Sequence, residues 1–292
     1  MIIVRIIGGH SNQLFQYAVG RALASKRNTE LKLDITTYFD NQPAENTPRE
    51  YELAVYPLRA SIASPSEIKN ALDGQSENNR YKKFLMNKDR FVIYNEKPTS
   101  FQSEVLRLPK NAYLIGYWQN ENHFKDIRKD LIKEFEPVKP MSLKNKQYLA
   151  RIQSTQAISL HIRREDYVDN KSANEFHGLM PLDYYKAALA IILKKTKDNN
   201  RHVFVFSKEI DWCKKNIKLD LPTTFIEGNK DGSDDMRLMK HCKHNIMANS
   251  SFSWWGAWLN QNPDKIIVAP KIWFQDPSAN KNMELPKSWI RL

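Results

Sequence analysis

The 292-residue sequence holds two cysteines, Cys213 and Cys242. Two thiols are too few for a disulfide framework and their spacing matches no metal-binding pattern, so a reducing compartment is the default. Long apolar runs are missing too. The N-terminal Met1-Ile-Ile-Val-Arg-Ile-Ile7 is too short for a signal peptide and is interrupted by Arg5. No stretch approaches the roughly 20 apolar residues of a membrane span. There is no arginine-rich arm, long basic block or recognised nucleic-acid module, which argues against a nucleic-acid partner. The formal net charge of +12 comes from scattered lysines. It is compatible with a phosphorylated substrate or an anionic membrane surface and does not choose between them. The expectation is a cytoplasmic protein, with peripheral contact at an inner membrane open to it. Internal repeats, low-complexity tracts and the dinucleotide fingerprint G-x-G-x-x-G are absent as well.

What is present is an α/β pattern. A hydrophobic content of 41% permits a well-buried interior, and the length suits one large domain or two ordinary ones. Ile2-Ile-Val-Arg-Ile-Ile7 reads as a buried strand, Gly8-Gly-His-Ser-Asn-Gln13 as a loop, and 14–26 as a helix with an apolar stripe through Leu14, Ala18 and Ala22. This strand, glycine loop and helix form the first unit of a Rossmann-like domain, in which N–H groups at the helix start face a crevice. Asn12 and Gln13 could cap the helix or reach a ligand there. Strands follow at 31–35 and 112–116, the latter ending in Tyr117-Trp-Gln-Asn120. Aromatics beside amides at a strand end can make a sugar-stacking platform, and equally can be ordinary packing. The stretch 36–111 suggests no chemical role. Glu136-Pro-Val-Lys-Pro140 is the candidate linker, since paired prolines oppose helix and central strand, and it separates domains at 1–138 and 139–292.

The densest group of ionisable residues is His161-Ile-Arg-Arg-Glu-Asp-Tyr167, which begins where the apolar strand Ala157-Ile-Ser-Leu160 ends. Ligands of open α/β sheets bind outside the carboxyl ends of the strands, so arginines there are placed to meet an anion. On an extended backbone Arg163 shares a side with His161, while Arg164 points the other way. The competing reading is a surface strand end whose arginines pair with Glu165 and Asp166. Ser207 ends the next strand, 202–206, at the same edge. In Asn249-Ser-Ser-Phe-Ser-Trp-Trp-Gly-Ala-Trp-Leu259, Asn249, Ser250 or Ser251 can cap a helix whose free N–H groups suit phosphate.

Five stretches in order resemble the α-1,2-fucosyltransferases of bacterial type: 8–18, 116–124, 161–167, Phe206-Ser207 with Trp212, and 235–260. The resemblance covers nearly the whole chain. It implies a two-Rossmann (GT-B) fold with two domains facing a cleft. The acceptor would lie largely on the N-terminal half and GDP-fucose on the C-terminal half. The implied reaction is inverting: the 2-hydroxyl of a galactose in an oligosaccharide or lipid-linked glycan attacks the fucose anomeric carbon and GDP leaves. By the same resemblance Arg163 neutralises the diphosphate, His161 and Asp235 contact the nucleoside, Ser207, Ser250 and Ser251 lie on the donor, and Asn12 and Gln13 approach it from the opposite domain, while the aromatic-and-amide strand end makes Trp118 and Gln119 the expected acceptor contacts. No cofactor or metal is expected, although Asp231-Gly-Ser-Asp-Asp235 superficially resembles a carboxylate metal site. Asp166 stands as the catalytic base beside the alternatives Asp169, Glu175 and His177. Two departures stand out: His10 and Ser11 replace the family's usual apolar residue and glycine, and Lys208-Glu209 replaces the acidic pair that often follows the serine, which weakens the case for a purine contact there. A related GDP-sugar transferase of other linkage, or a non-catalytic nucleotide-binding or polyanion-binding module, are the alternatives.

Overall fold

The computed structural model describes residues 1–39, 49–73, 90–97, 101–164, 178–197, 199–280 and 283–292. The chain divides into two compact units, Met1–Glu136 and Pro137–Leu292. The break falls at the proline-rich segment, where neither helix nor ladder can continue.

The first unit starts with β1 (Ile2–Arg5) and α1 (His10–Arg27), then β2 (Leu31–Asp34), β3 (Ser61–Ile62), α2 (Pro65–Asp73), β4 (Val92–Asn95), β5 (Ala112–Ile115) and α3 (Arg128–Glu134). Among the described residues its sheet runs β3-β2-β1-β5-β4, with parallel pairing throughout. Ile2, Ile3 and Val4 are fully buried, as a central parallel strand covered on both faces requires. The strand order reverses between β1 and β5. Gly8 makes the turn out of β1 with φ of 74°, a conformation glycine adopts without steric cost.

Helix α1 begins at His10, four residues earlier than the sequence pattern indicates. Its cap position, Gly9, offers no side chain. Instead the His10 N–H donates to Glu52 Oε1 at 2.8 Å. A carboxylate from 42 residues away satisfies the helix end, so Asn12 and Gln13 lie inside the first turn rather than before it.

The second unit contains α4 (Leu143–Gln153), β6 (Gln156–His161), α5 (Leu182–Lys195), β7 (Arg201–Phe206), α6 (Ile210–Asn216), β8 (Thr223–Phe225), α7 (Gly232–Met239), β9 (His244–Ile246), α8 (Ser251–Trp258), β10 (Ile267–Ala269) and β11 (Ile290–Arg291). The sheet order is β11-β10-β9-β6-β7-β8, and every pairing is parallel. From β6 the chain moves outward through β7 and β8, then returns to the other side for β9, β10 and β11. This is the doubly wound order of a Rossmann domain, with its switch point between β6 and β9. Ile158, Leu160, Val203, Val205 and Ile246 bury one face of the sheet against α5. Ala157, Phe204 and Phe206 bury the other against Leu238 and Met239 of α7. Each unit is thus the α/β, Rossmann-like layer structure expected of a GT-B glycosyltransferase. Among the described residues, no helix is long and apolar enough to cross a membrane.

Candidate functional site

The switch point between β6 and β9 is where the chain turns away to both sides, leaving a crevice at the carboxyl ends of the strands. His161 is the last residue of β6 and is buried. Its ring lies 5.2 Å from that of Phe252 in the first turn of α8, which fixes the strand end against the helix start. Burial, aided by the nearby positive charge of Arg163, pushes the His161 pKa down to about 3. The ring is therefore neutral at physiological pH, a hydrogen-bonding group and a poor base. Its Nδ1 is buried with no hydrogen-bond partner among the described residues. An orphaned polar atom at a switch point is a place for a ligand's complementary group.

The Arg164 guanidinium stacks 3.9 Å from the centroid of the Trp212 ring, and its Nε lies 3.2 Å from Glu209 Oε2. Glu209, one of the four residues departing from the family pattern, thus serves as an ion-pair partner for Arg164. Arg163 is half-buried, and its charge acts on the His161 ring. On the neighbouring strand, the Ser207 hydroxyl accepts the Glu209 N–H at 3.1 Å, which ties that serine to the turn leading into α6.

Across the switch point, Ser250 caps α8 by accepting the Phe252 N–H at 3.3 Å, and Ser251 opens the helix. Asn249 donates to the carbonyls of Gly178 and Trp273, both at 3.2 Å. The helix start is held rigidly while Ser251 stays half-exposed. The neutral His161 and the serine-capped start of α8 thus meet at one strand end, with the charge of Arg163 acting on the His161 ring. Such a set of donors suits a diphosphate.

Asp235 lies in the first turn of α7, at the same edge of the sheet. Its Oδ1 accepts from Asn229 Nδ2 at 2.6 Å, and Asn145 Nδ2 in turn donates to Asn229 Oδ1 at 2.7 Å. Burial pushes the Asp235 pKa up to about 6 despite the Asn229 hydrogen bond, with Asp234 and Asp231 adding to the rise. Sequence reasoning missed Asn145 and Asn229, because an amide two elements away carries no local pattern. Asp231 is engaged in capping α7, accepting from Ser233 and Asp234 N–H groups. Among the described residues no group of three or more His, Cys, Asp or Glu is placed to hold a metal ion.

In the first unit, the corresponding switch point brings Asn12 and Gln119 together: Gln119 Nε2 donates to Asn12 Oδ1 at 2.8 Å. Two expectations are corrected here. Gln13 is fully buried. Its amide donates to the Gly8 and Glu50 carbonyls at 3.0 and 2.7 Å and accepts the Glu52 N–H at 2.9 Å. With donors and acceptor committed to Gly8 and the 50–52 segment, it ties the two together instead of reaching a donor sugar. Trp118 is 0% exposed and packs against Tyr94 and His123, so it cannot be the stacking platform. The exposed ring is Tyr117, at 45%. Asp166 and the alternatives Asp169, Glu175 and His177 lie outside the described residues.

A sequence model of the family "Glycosyl transferase family 11" matches residues 1–292. An alpha-1,2-colitosyltransferase of Escherichia coli is 34% identical over 309 aligned residues, spanning 100% of this chain and 99% of that protein. The E. coli O-antigen biosynthesis glycosyltransferase WbnK is 32% identical over 98% of both chains. A shorter match, 26% identical, spans 49% of this chain and 42% of galactoside alpha-(1,2)-fucosyltransferase 2 from Rattus norvegicus.

Proposed function

The chain belongs to glycosyl transferase family 11, and from that premise we propose that this glycosyltransferase moves L-fucose from GDP-fucose to the 2-hydroxyl of a galactose in a surface-polysaccharide or lipid-linked glycan, with inversion at the anomeric carbon. The acceptor oxygen bonds to C1 of fucose as the bond from C1 to the phosphate oxygen breaks, and the electron pair leaves with GDP. Arg163 neutralises the charge that grows on the diphosphate, with Ser250, Ser251 and the start of α8 holding phosphate oxygens. The carrying observation is the buried, neutral His161 at the switch point of the second sheet, whose Nδ1 has no hydrogen-bond partner among the described residues and whose ring feels the charge of Arg163. Asp235 receives the N1–H and amino group of guanine on the carboxylate that Asn229 orients. His161, with a pKa near 3, is too weak a base for the acceptor proton, which leaves that role to the carboxylates or histidine of the 166–177 stretch, Asp166 first among them.

The first unit serves the acceptor in this reading. The start of α1, where a Rossmann domain would place a phosphate, already holds the Glu52 carboxylate. A second anion is repelled there, whereas an uncharged sugar is not.

A second reading has its own support: the relative at 34% identity is a colitosyltransferase, and colitose is fucose lacking the 3-hydroxyl. Purified protein given GDP-fucose and GDP-colitose in parallel with galactose-terminated acceptors separates the two. NMR of the product reads the linkage position and anomeric configuration. Fucose linked α to O2 of galactose is the expected product; turnover with GDP-colitose alone replaces the donor assignment, and hydrolysis or inertness with both removes the reading.

A further inference from the structure

Glu96 follows β4 in the stretch that suggests no chemistry from sequence. Its half-buried carboxylate accepts two consecutive backbone N–H groups from the end of β5, Tyr117 at 2.6 Å and Trp118 at 2.9 Å. The approach is close enough that a Cβ on Gly116 would overlap the Glu96 side chain. Trp118 takes φ of 59°, a left-handed conformation that a bulky residue adopts only when its surroundings impose it. Two carboxylate hydrogen bonds supply that constraint.

The consequence is a reversal of the side chains. Trp118 turns fully inward, Tyr117 turns out, and Gln119 is delivered to Asn12. Tyr38 donates its hydroxyl to the Gly8 carbonyl at 2.8 Å; burial raises its pKa, and the charges of Glu52 and then of Tyr117 and Tyr51 add to the rise against a lowering by Gln13. An exposed ring thus sits at the switch point of the first sheet among amides and phenols. An apolar ring face bordered by hydrogen-bonding groups matches a pyranose, which has an apolar face and hydroxyl edges.

We propose that Tyr117 is the ring on which the acceptor galactose stacks, and that Glu96 is the positioning residue that presents it by holding the end of β5 in its turned conformation. This rests on the assignment of the acceptor to the first unit. Burial raises the Glu96 carboxyl against the opposing effect of the two N–H bonds. A carboxamide in its place keeps one acceptor oxygen but sets an NH₂ against the second N–H, which undoes half of the clasp.

The test uses the full-length protein and lactose as the probe, with saturation-transfer NMR for binding and GDP-fucose turnover for kinetics. Tyr117→Ala leaves the fold intact because the ring is exposed. It is expected to weaken lactose binding and raise the acceptor KM about tenfold. Glu96→Gln should do the same with GDP affinity unchanged within about twofold, and Tyr117→Phe should retain most of the binding. A purely structural Glu96 would lower the melting temperature without this split between acceptor and donor. Lactose binding that is absent from the wild type, or undiminished in folded Tyr117→Ala and Glu96→Gln, overturns the inference. If the wild type binds lactose and both variants lose it while no fucose is transferred, the inference stands and the donor assignment fails.

Discussion

Replacing Arg163 by lysine preserves the charge and removes the fork. Lysine is a point donor, so two parallel bonds to a diphosphate become one. The interaction strengthens as the glycosidic bond breaks, so the loss falls on kcat more than on donor affinity. Removing a preorganised donor from a developing anion costs roughly 10²-fold or more, equivalent to about 2.7 kcal/mol of barrier. The adjacent residue is the control. Arg164→Lys loses the flat stacking on Trp212 at 3.9 Å and alters the 3.2 Å ion pair with Glu209. With the Arg164 side chain 22% exposed, solvent screens the pair, and about 1 kcal/mol of stability is at stake. That corresponds to a melting-temperature drop of about 2–4 °C. Steady-state kinetics with GDP-fucose, GDP calorimetry and thermal melts on both variants measure the contrast. Equal turnover of the two folded variants, or an Arg163→Lys effect confined to the melt, refutes the diphosphate assignment.

Asp235→Asn should abolish most GDP affinity without lowering the melting temperature. The carboxyl pKa is raised from 3.8 to about 6 in the folded protein, so between those values the folded state binds more protons than the unfolded state, and this group's contribution to stability declines as pH rises. Neutralising it therefore removes a cost at pH 7.5, and a large fall in melting temperature there would mark Asp235 as structural instead. Guanine donors need the ionised carboxylate, so wild-type GDP affinity measured by calorimetry should decline as pH drops through about 6, and the decline should vanish in Asp235→Asn. Trp118→Ala removes a fully buried indole and should cost about 3–5 kcal/mol of stability; chemical denaturation showing less than about 1 kcal/mol would contradict that burial. Turnover should persist in EDTA, because an arginine and helix-end donors neutralise a diphosphate without the octahedral oxygen site Mg²⁺ needs. Complete loss restored by Mg²⁺ or Mn²⁺ would count decisively against it.

The sequence by itself determined the alternation of apolar strands and amphipathic helices and the separate role of Arg164 at the β6 end. These depend on periods of two and 3.6 residues, which are local. Arg164 faces Trp212 and Glu209, as the period of two allows for a residue next to Arg163. Motif resemblance added what periodicity cannot supply, the expectation that Asp235 and the 250–251 serines serve one ligand. The tertiary structure alone decided which aromatic of Tyr117-Trp118 meets solvent, where α1 begins, and that Gln13 is used up inside the first unit. Each of these outcomes turns on a hydrogen bond between groups far apart in sequence: Glu96 to Trp118 across 22 positions, Glu52 to His10 across 42, and Gln13 to Glu52 across 39. A backbone N–H leaving a strand or starting a helix must find an acceptor, but nothing in the neighbouring residues specifies which distant carboxylate or amide will supply it. That choice fixes the direction of the side chains that follow, and only folding makes it.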